Sequence, residues 1–293
     1  CVTSHLLGSA DASAKLRELL DWADAASSHK EDELLFGRAG YLYALLWVRQ
    51  FNVADPKLFE EPLRQIAEKL VETGQVIAEQ YQDWPLMWHC FDEPYMGAAH
   101  GVIGILAMLF RCWSLLNLRS AALVSATLGR LLTSLHPSGN APIIWGDDRD
   151  EHVHWCHGAP GLPFLLRSAS EVLSERADAL RSSALRAGDV IWERGVILKG
   201  NGLCHGIAGN GYAFLSLYNW SGDPTQLTKA AAFASLTSYE ALQDAMAKQP
   251  DPQREARGVP DSPASLMEGV AGLVCFLLDV MQPSTAAFPG WEL

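Results

Sequence analysis

Gly206-Ile207-Ala208-Gly209 is followed almost at once by an apolar run, residues 212–218, and this Gly-x-x-Gly pattern recurs along the chain. Four further copies, each before an apolar segment, begin at Gly37, Gly101, Gly158 and Gly269. Successive first glycines stand between 48 and 64 residues apart. An interval of that length holds two helices and their connections, so the spacing predicts a repeated helical hairpin.

The segments after the glycines are apolar on nearly all faces, as expected of buried helices. Between them lie amphipathic stretches, residues 58–81, 176–194 and 224–248, whose charged side suits an outer layer. Strand patterns are scarce, and the best short candidate, residues 142–145, is interpreted as a loop. The sequence therefore predicts an all-α array of hairpins, closed or arched, whose inner helices begin in one shared layer.

Composition excludes several classes of protein. The 293 residues are 49% hydrophobic and 19% charged, which is enough for a large core in one or two domains. A net charge of −12 without a Lys/Arg cluster argues against a nucleic-acid-binding protein. No apolar run reaches the roughly 18 residues that a membrane helix needs. Six cysteines are few for this length, which indicates a reducing compartment rather than a disulfide scaffold.

The candidate functional residues lie next to the glycines. The residue before the first glycine of each copy is, in chain order, Phe36, His100, His157, His205 and Glu268. Equivalent positions in an array of hairpins point to one common end, where Cys156 and Cys204 add two thiols. Thiolate and imidazole are the ligand types that Zn²⁺ prefers, and three such ligands leave a fourth position open for chemistry. His100 is in register with His205 but has no cysteine beside it, so we predict that it acts in proton transfer.

At these residues the chain resembles the LanC-like family, the eukaryotic relatives of bacterial lanthionine cyclases. The resemblance is carried by residues 35–46, 97–101, 154–161, 202–206, 266–272 and 288–293. It implies an α/α toroid, a double-layered barrel of helical hairpins. It also implies one domain over residues 1–293 that holds five of the family's seven repeats, the amino-terminal ones being missing.

Carried over residue by residue, the resemblance makes Cys156, Cys204 and His205 the ligands of one zinc ion per chain and leaves His157 outside the coordination shell. It also assigns glutathione contacts, with the arginine displaced by one position from the family pattern, to Lys199, Arg257, Pro260 and Asp261. The roles of His157 and Glu268 stay open.

The function that the resemblance implies is a zinc-dependent, Michael-type addition of glutathione to dehydroalanine or dehydrobutyrine residues in proteins. Two alternatives remain. One is a catalytically inactive scaffold or signalling protein that binds glutathione and zinc, and the other is a lanthipeptide cyclase. The expected partners are glutathione and proteins or peptides with dehydroamino acids, not nucleic acid. The expected location is cytoplasmic, with peripheral association with the plasma membrane left open.

Overall fold

The computed structural model describes residues 11–197, 199–236, 241 and 262–293, and regular structure within them is helical, without a strand. None of the described helices has the length and apolarity needed to cross a membrane. The chain divides into two compact units. Unit 1 comprises Cys1–Tyr95, His100–Thr133 and Leu293, and unit 2 comprises Met96–Ala99 and Ser134–Glu292. The expectation of a single domain over 1–293 stays a prediction.

Unit 1 has six described α-helices, which are α1 (Ala12–Asp21), α2 (Ala23–Ser27), α3 (Arg38–Gln50), α4 (Glu60–Ala78), α5 (Val102–Arg111) and α6 (Leu118–Thr133). Helix α5 is buried at every residue from Val102 to Phe110, as its uniformly apolar sequence predicts. Helix α4 is amphipathic and corresponds to the outer stretch expected at residues 58–81.

Unit 2 has five α-helices with described bounds, which are α7 (Leu162–Val172), α8 (Ala177–Arg194), α9 (Ile207–Ser221), α10 (Pro224–Ser235) and α11 (Val270–Met281). Helix α9 is buried from Ile207 to Leu217 and packs against α10 and α11. Helices α8 and α10 confirm the two outer stretches expected in this half of the chain, although α10 ends at Ser235. The predicted residues 237–240 and 242–248 lie outside the described part of the chain.

The glycine pairs mark where inner helices begin. Helices α3, α5, α9 and α11 each start at the residue after the first glycine of a pair. A Cβ on the second glycine would lie 1.8–2.2 Å from a carbonyl oxygen in three of the copies. The contacts are Gly40 with Leu34, Gly209 with Leu203, and Gly272 with Leu266. In each case the start of the helix packs against its own preceding turn, so the close approach that requires glycine is local.

Two helical glycines differ sharply in the space around them. A Cβ on Gly211 in α9 would lie 2.2 Å from the Phe276 ring, which is fully buried, whereas a Cβ on Gly129 in α6 meets nothing within 4 Å. We expect Gly129→Ala to raise the free energy of unfolding by about 1 kcal/mol, because alanine loses less backbone entropy in a helix. Gly211→Ala should lower it by about 1–3 kcal/mol through overpacking. Urea denaturation of both variants checks this, and stabilisation by Gly211→Ala would contradict the packing of α9 on α11.

Candidate functional site

Three soft ligand groups meet in unit 2. The Cys156 and Cys204 sulfurs and a His205 ring nitrogen all lie within 4.8 Å of one another. Cys156 is buried, and the other two side chains are half-buried. No other group of three or more His, Cys, Asp or Glu ligand atoms is this close in the part of the chain that the structure describes, and His157 is not a member of the cluster.

Backbone hydrogen bonds hold the two cysteines in register. The Cys156 N–H donates to the Cys204 carbonyl at 3.1 Å, and the Cys204 N–H donates to the Met267 carbonyl at 2.7 Å. All three residues stand two positions before the first glycine of their Gly-x-x-Gly segments. Equivalent turns of three successive repeats therefore lie side by side. The sequence register brings Cys156, Cys204 and His205 together as expected.

The turn that carries Cys156 is tightly enclosed. A Cβ on Gly97 would lie 1.9 Å from the Cys156 carbonyl oxygen. Gly158 has φ +121°, and a Cβ there would lie 2.3 Å from the His152 carbonyl oxygen. Glycine is required at both positions because any side chain would displace the loop of the metal-ligand candidate.

A buried asparagine anchors the same turn. Asn140 accepts a hydrogen bond from the Ala159 N–H at 2.7 Å and donates to Asp150 and to the His152 carbonyl, both at 2.8 Å. Burial alone would raise the pKa of Asp150, but hydrogen bonds from Ser138, Asn140 and Arg194 lower it below its ordinary value. Sequence reasoning missed Asn140, because a single asparagine carries no motif that would mark it.

Aromatic packing supports the turn from the other side. The Trp155 ring stacks on Phe288, with centroids 4.9 Å apart, and meets Trp291 edge to face at 5.5 Å. All three rings are fully buried. The residue next to Cys156 is thus locked into the core of unit 2, which limits the movement of the sulfur.

The members of the cluster shift one another's pKa values. The hydrogen bond with Cys204, followed by burial, raises the pKa of Cys156 well above its ordinary value. The hydrogen bond with Cys204 also raises the pKa of His205, although burial opposes that rise. The charge of Lys199 lowers both pKa values, and that of Glu268 raises the pKa of His205. Lys199 and Glu268 therefore lie close enough to act on the cluster electrostatically.

The donor set fits a divalent soft metal ion. Tetrahedral zinc with Zn–S bonds of about 2.3 Å places its ligand atoms roughly 3.4–3.8 Å apart. Since the three atoms lie within 4.8 Å, the distances between them would need to shorten by at most about 1.4 Å. Three protein ligands leave one coordination position for a substrate atom, which is the pattern of catalytic rather than structural zinc sites.

Of the predicted glutathione contacts, Lys199 is half-buried beside the cluster, as its effect on the pKa values shows. The other three, Arg257, Pro260 and Asp261, lie outside the described residues. Their assignment stays a prediction.

His100, in unit 1, is paired with a buried carboxylate. Its Nδ1 lies 2.8 Å from Oε2 of Glu33, whose side chain is fully buried, while the imidazole is 19% exposed. Glu33 also accepts hydrogen bonds from the backbone N–H groups of Leu35 and Phe36. A carboxylate bonded to Nδ1 fixes the orientation of an imidazole and its tautomer, and this arrangement suits a proton donor or acceptor.

The segment before α3 that carries Glu33 is itself fixed by a buried ion pair. The Arg38 guanidinium pairs with Asp32 and donates to the carbonyls of Ser27 and His29. Burial raises the pKa of Asp32, and the charge of Arg38 opposes that rise. Sequence reasoning missed Glu33, because nothing in the acidic run of residues 31–33 shows that only its third member meets a histidine 67 residues away.

A thiol also lies near this histidine. The Cys90 Sγ is 3.9 Å from His100 Nδ1. Burial, followed by the charges of Glu33 and Glu31, raises the pKa of Cys90 to about 11. The thiol is therefore neutral near pH 7 and is not an activated nucleophile.

Comparison with known proteins shows which family and which relatives this chain is similar to. A family described as lanthionine synthetase C-like protein matches residues 2–293. The chain is 40% identical over 266 residues to glutathione S-transferase LANCL1 of Danio rerio and 33% identical over 281 residues to LanC-like protein GCL1 of Arabidopsis thaliana. These alignments cover 89% and 96% of the chain, which spans 62% of the length of each relative.

Among solved structures, nisin cyclase matches with a TM-score of 0.60 and 16% identity, over 88% of this chain and 65% of the cyclase. This likeness in fold confirms the fold class expected from the sequence, whereas the number of repeats stays a prediction. The extent of the family match, together with the two relatives, establishes that the chain belongs to the lanthionine synthetase C-like family.

Proposed function

We propose that this protein adds glutathione to dehydroalanine and dehydrobutyrine residues in proteins and that one zinc ion per chain serves the reaction. The proposal is carried by the proximity of Cys156, Cys204 and His205, whose ligand atoms lie within 4.8 Å. It is supported by the relative that is called a glutathione S-transferase and by the fold shared with a cyclase. We place the protein in the cytoplasm, where glutathione keeps thiols reduced.

The reaction joins a thiol to a carbon–carbon double bond. The glutathione sulfur bonds to the β-carbon, the π electrons move towards the α-carbon and its carbonyl, and a proton ends on the α-carbon. Two groups of the protein are therefore needed, one that favours the thiolate and one that delivers the proton. Zn²⁺, when bound, would supply a Lewis acid that keeps a coordinated thiol deprotonated at neutral pH.

The residues of this chain divide these tasks. Cys156, Cys204 and His205 would hold the ion, and two cysteinates would neutralise its charge and keep a third sulfur electron-rich. Lys199 would bind a glutathione carboxylate through a charge-assisted hydrogen bond. His100, oriented by Glu33, would deliver the proton to the α-carbon.

Glutathione addition can be observed directly. A zinc-loaded sample of the 293-residue chain, incubated with glutathione and a dehydroalanine peptide, should convert the peptide to a glutathione adduct detected by mass spectrometry. Chelation of the zinc should abolish the enzymatic part of the conversion. Bound zinc without any adduct would instead favour the scaffold. Ring closure in a peptide that carries its own cysteine, with no addition of glutathione, would favour the lanthipeptide cyclase.

Two substitutions should separate metal binding from proton transfer. Cys204→Ala removes a ligand, so we expect it to lose zinc and activity together. His100→Ala should keep its zinc and lower kcat by about 10²–10⁴-fold, the usual contribution of a general acid. Zinc content by elemental analysis and kcat by mass spectrometry measure the two effects.

Cys112→Ala serves as the control, because Cys112 is a buried thiol whose pKa burial raises to about 12. It should keep both zinc and rate. Equal loss of zinc in the Cys204 and His100 variants would contradict the separate roles of metal ligand and proton donor.

The buried carboxylate should act through the histidine. Glu33→Gln removes the anion from Nδ1 but preserves the size of the side chain, so kcat should fall about tenfold or more while KM and zinc content change little. Glu31→Gln is the matched control. It makes the same chemical change two residues away, at a carboxylate that is paired with Lys30 at 3.8 Å rather than with His100, so it should leave kcat unchanged. A Glu33→Gln variant with the wild-type kcat would show that the pair is only structural.

A further inference from the structure

Exposed aromatic rings surround His100. Phe36 and Phe91, which come from different segments of unit 1, are 66% and 67% exposed. Their ring centroids lie 6.3 and 6.2 Å from that of His100, and the Tyr95 ring is 6.0 Å away. Scattered exposed apolar residues are ordinary on protein surfaces. Two phenylalanines against one imidazole instead form a patch at a defined place, here called the aromatic platform (Phe36 and Phe91).

The backbone holds Phe91 in an unfavourable conformation. Phe91 and Asp92 have φ +52° and +63°, in the left-handed region that bulky side chains rarely adopt. Reciprocal hydrogen bonds between the N–H and carbonyl groups of Cys90 and Glu93, both 3.0 Å, close this turn. Such strain is unfavourable and is found most often at functional sites. Here the strained turn presents an exposed aromatic ring beside His100.

Phe36 is linked to the same histidine through Glu33. Its backbone N–H donates to the Glu33 carboxylate, which in turn bonds His100. The position of the Phe36 ring is therefore coupled to the pair that we assign to proton transfer. Both rings of the platform are fixed relative to the imidazole, yet both face solvent.

We propose that the aromatic platform binds an apolar side chain of the protein substrate, one or two residues from the dehydroamino acid. This inference rests on the proposed function. If His100 protonates the α-carbon, the reacting residue lies against the imidazole. Neighbouring Cα atoms are about 3.8 Å apart along a chain, so flanking residues reach groups that lie ~6 Å from the imidazole.

The charges around the platform further restrict which side chains can bind there. Asp92 and Glu93 follow Phe91 and are exposed, so acidic residues beside the reacting one are disfavoured. Glutathione offers the rings no large apolar side chain, which leaves the peptide as the partner. Two exposed phenylalanines match an aliphatic or aromatic side chain, since binding removes apolar area from water on both partners.

The test compares two dehydroalanine peptides that differ only in having Leu or Gln at the flanking positions. With wild-type protein, kcat/KM for the Leu peptide should be about tenfold higher, the effect of burying one Leu side chain. Phe36→Ser and Phe91→Ser together should reduce that preference to about twofold or less, through KM rather than kcat. Trp22→Ser is the control, because Trp22 is a 59% exposed aromatic in the same unit and has no ring contact with His100 among the described pairs. It should keep the preference.

Equal kcat/KM for the two peptides in the wild type, or a preference retained in the double variant, would overturn the platform and leave the proposed function standing. If neither peptide forms an adduct, the proposed function fails on its own. In that case the affinities of fluorescent peptides, with Ala in place of dehydroalanine and Leu or Gln at the flanking positions, test the platform by binding alone. A preference for Leu over Gln that the double variant loses supports it, and equal affinities in the wild type refute it.

Discussion

In three of the repeats the contact between an inner helix and the turn that precedes it leaves no space for a side chain, and the turn that carries Cys204 is one of them. Helix α9 begins so close to the Leu203 carbonyl that a Cβ on Gly209 would lie 1.8 Å from its oxygen. The next turn residue, Cys204, then accepts a backbone hydrogen bond from Cys156. The two sulfurs are therefore positioned by the main chain, and the side chains only complete the arrangement.

Backbone control of this kind explains why a soft-ligand cluster can be read from the spacing of glycines. The three Gly-x-x-Gly segments of unit 2 each begin a helix, and residues at the same offset from these segments lie side by side. Cys156, Cys204 and Met267 share one offset and are hydrogen-bonded in succession. The repeat pattern carries this information because it is local in sequence and is used several times.

Contacts that join distant, unrepeated positions could not be predicted in the same way. Glu33 meets His100 across 67 residues, and Asn140 meets Ala159 across 19. A carboxylate in an acidic run and a lone asparagine have no pattern that sets them apart, and only tertiary packing decides which of them is buried. The resemblance to a family supplied Lys199, whose electrostatic effect on the cluster is now visible, but it gave no reason to notice Glu33.

The metal-ligand cluster of unit 2 and the Glu33–His100 pair of unit 1 differ in their electrostatics. In unit 2, hydrogen bonds with Cys204 raise the pKa values of Cys156 and His205. The two sulfurs and the imidazole nitrogen are soft donor atoms once they are deprotonated. In unit 1, a fully buried carboxylate accepts backbone N–H groups and holds an imidazole. The cluster of unit 2 offers ligand atoms that a metal cation would bind. In unit 1 the carboxylate already has the imidazole as its partner.

The high pKa of Cys90 has a consequence for the proposed reaction, whose substrates are electrophilic alkenes. Such substrates alkylate accessible thiolates. The Cys90 sulfur lies 3.9 Å from His100, the proposed acid, and would be exposed to alkylation if it were ionised. With its pKa raised to about 11, only about one thiol in ten thousand is ionised at pH 7, so suicide inactivation at this position is slow. Burial of the sulfur, followed by the charges of Glu33 and Glu31, keeps it protonated and would thereby protect the protein from the proposed substrate.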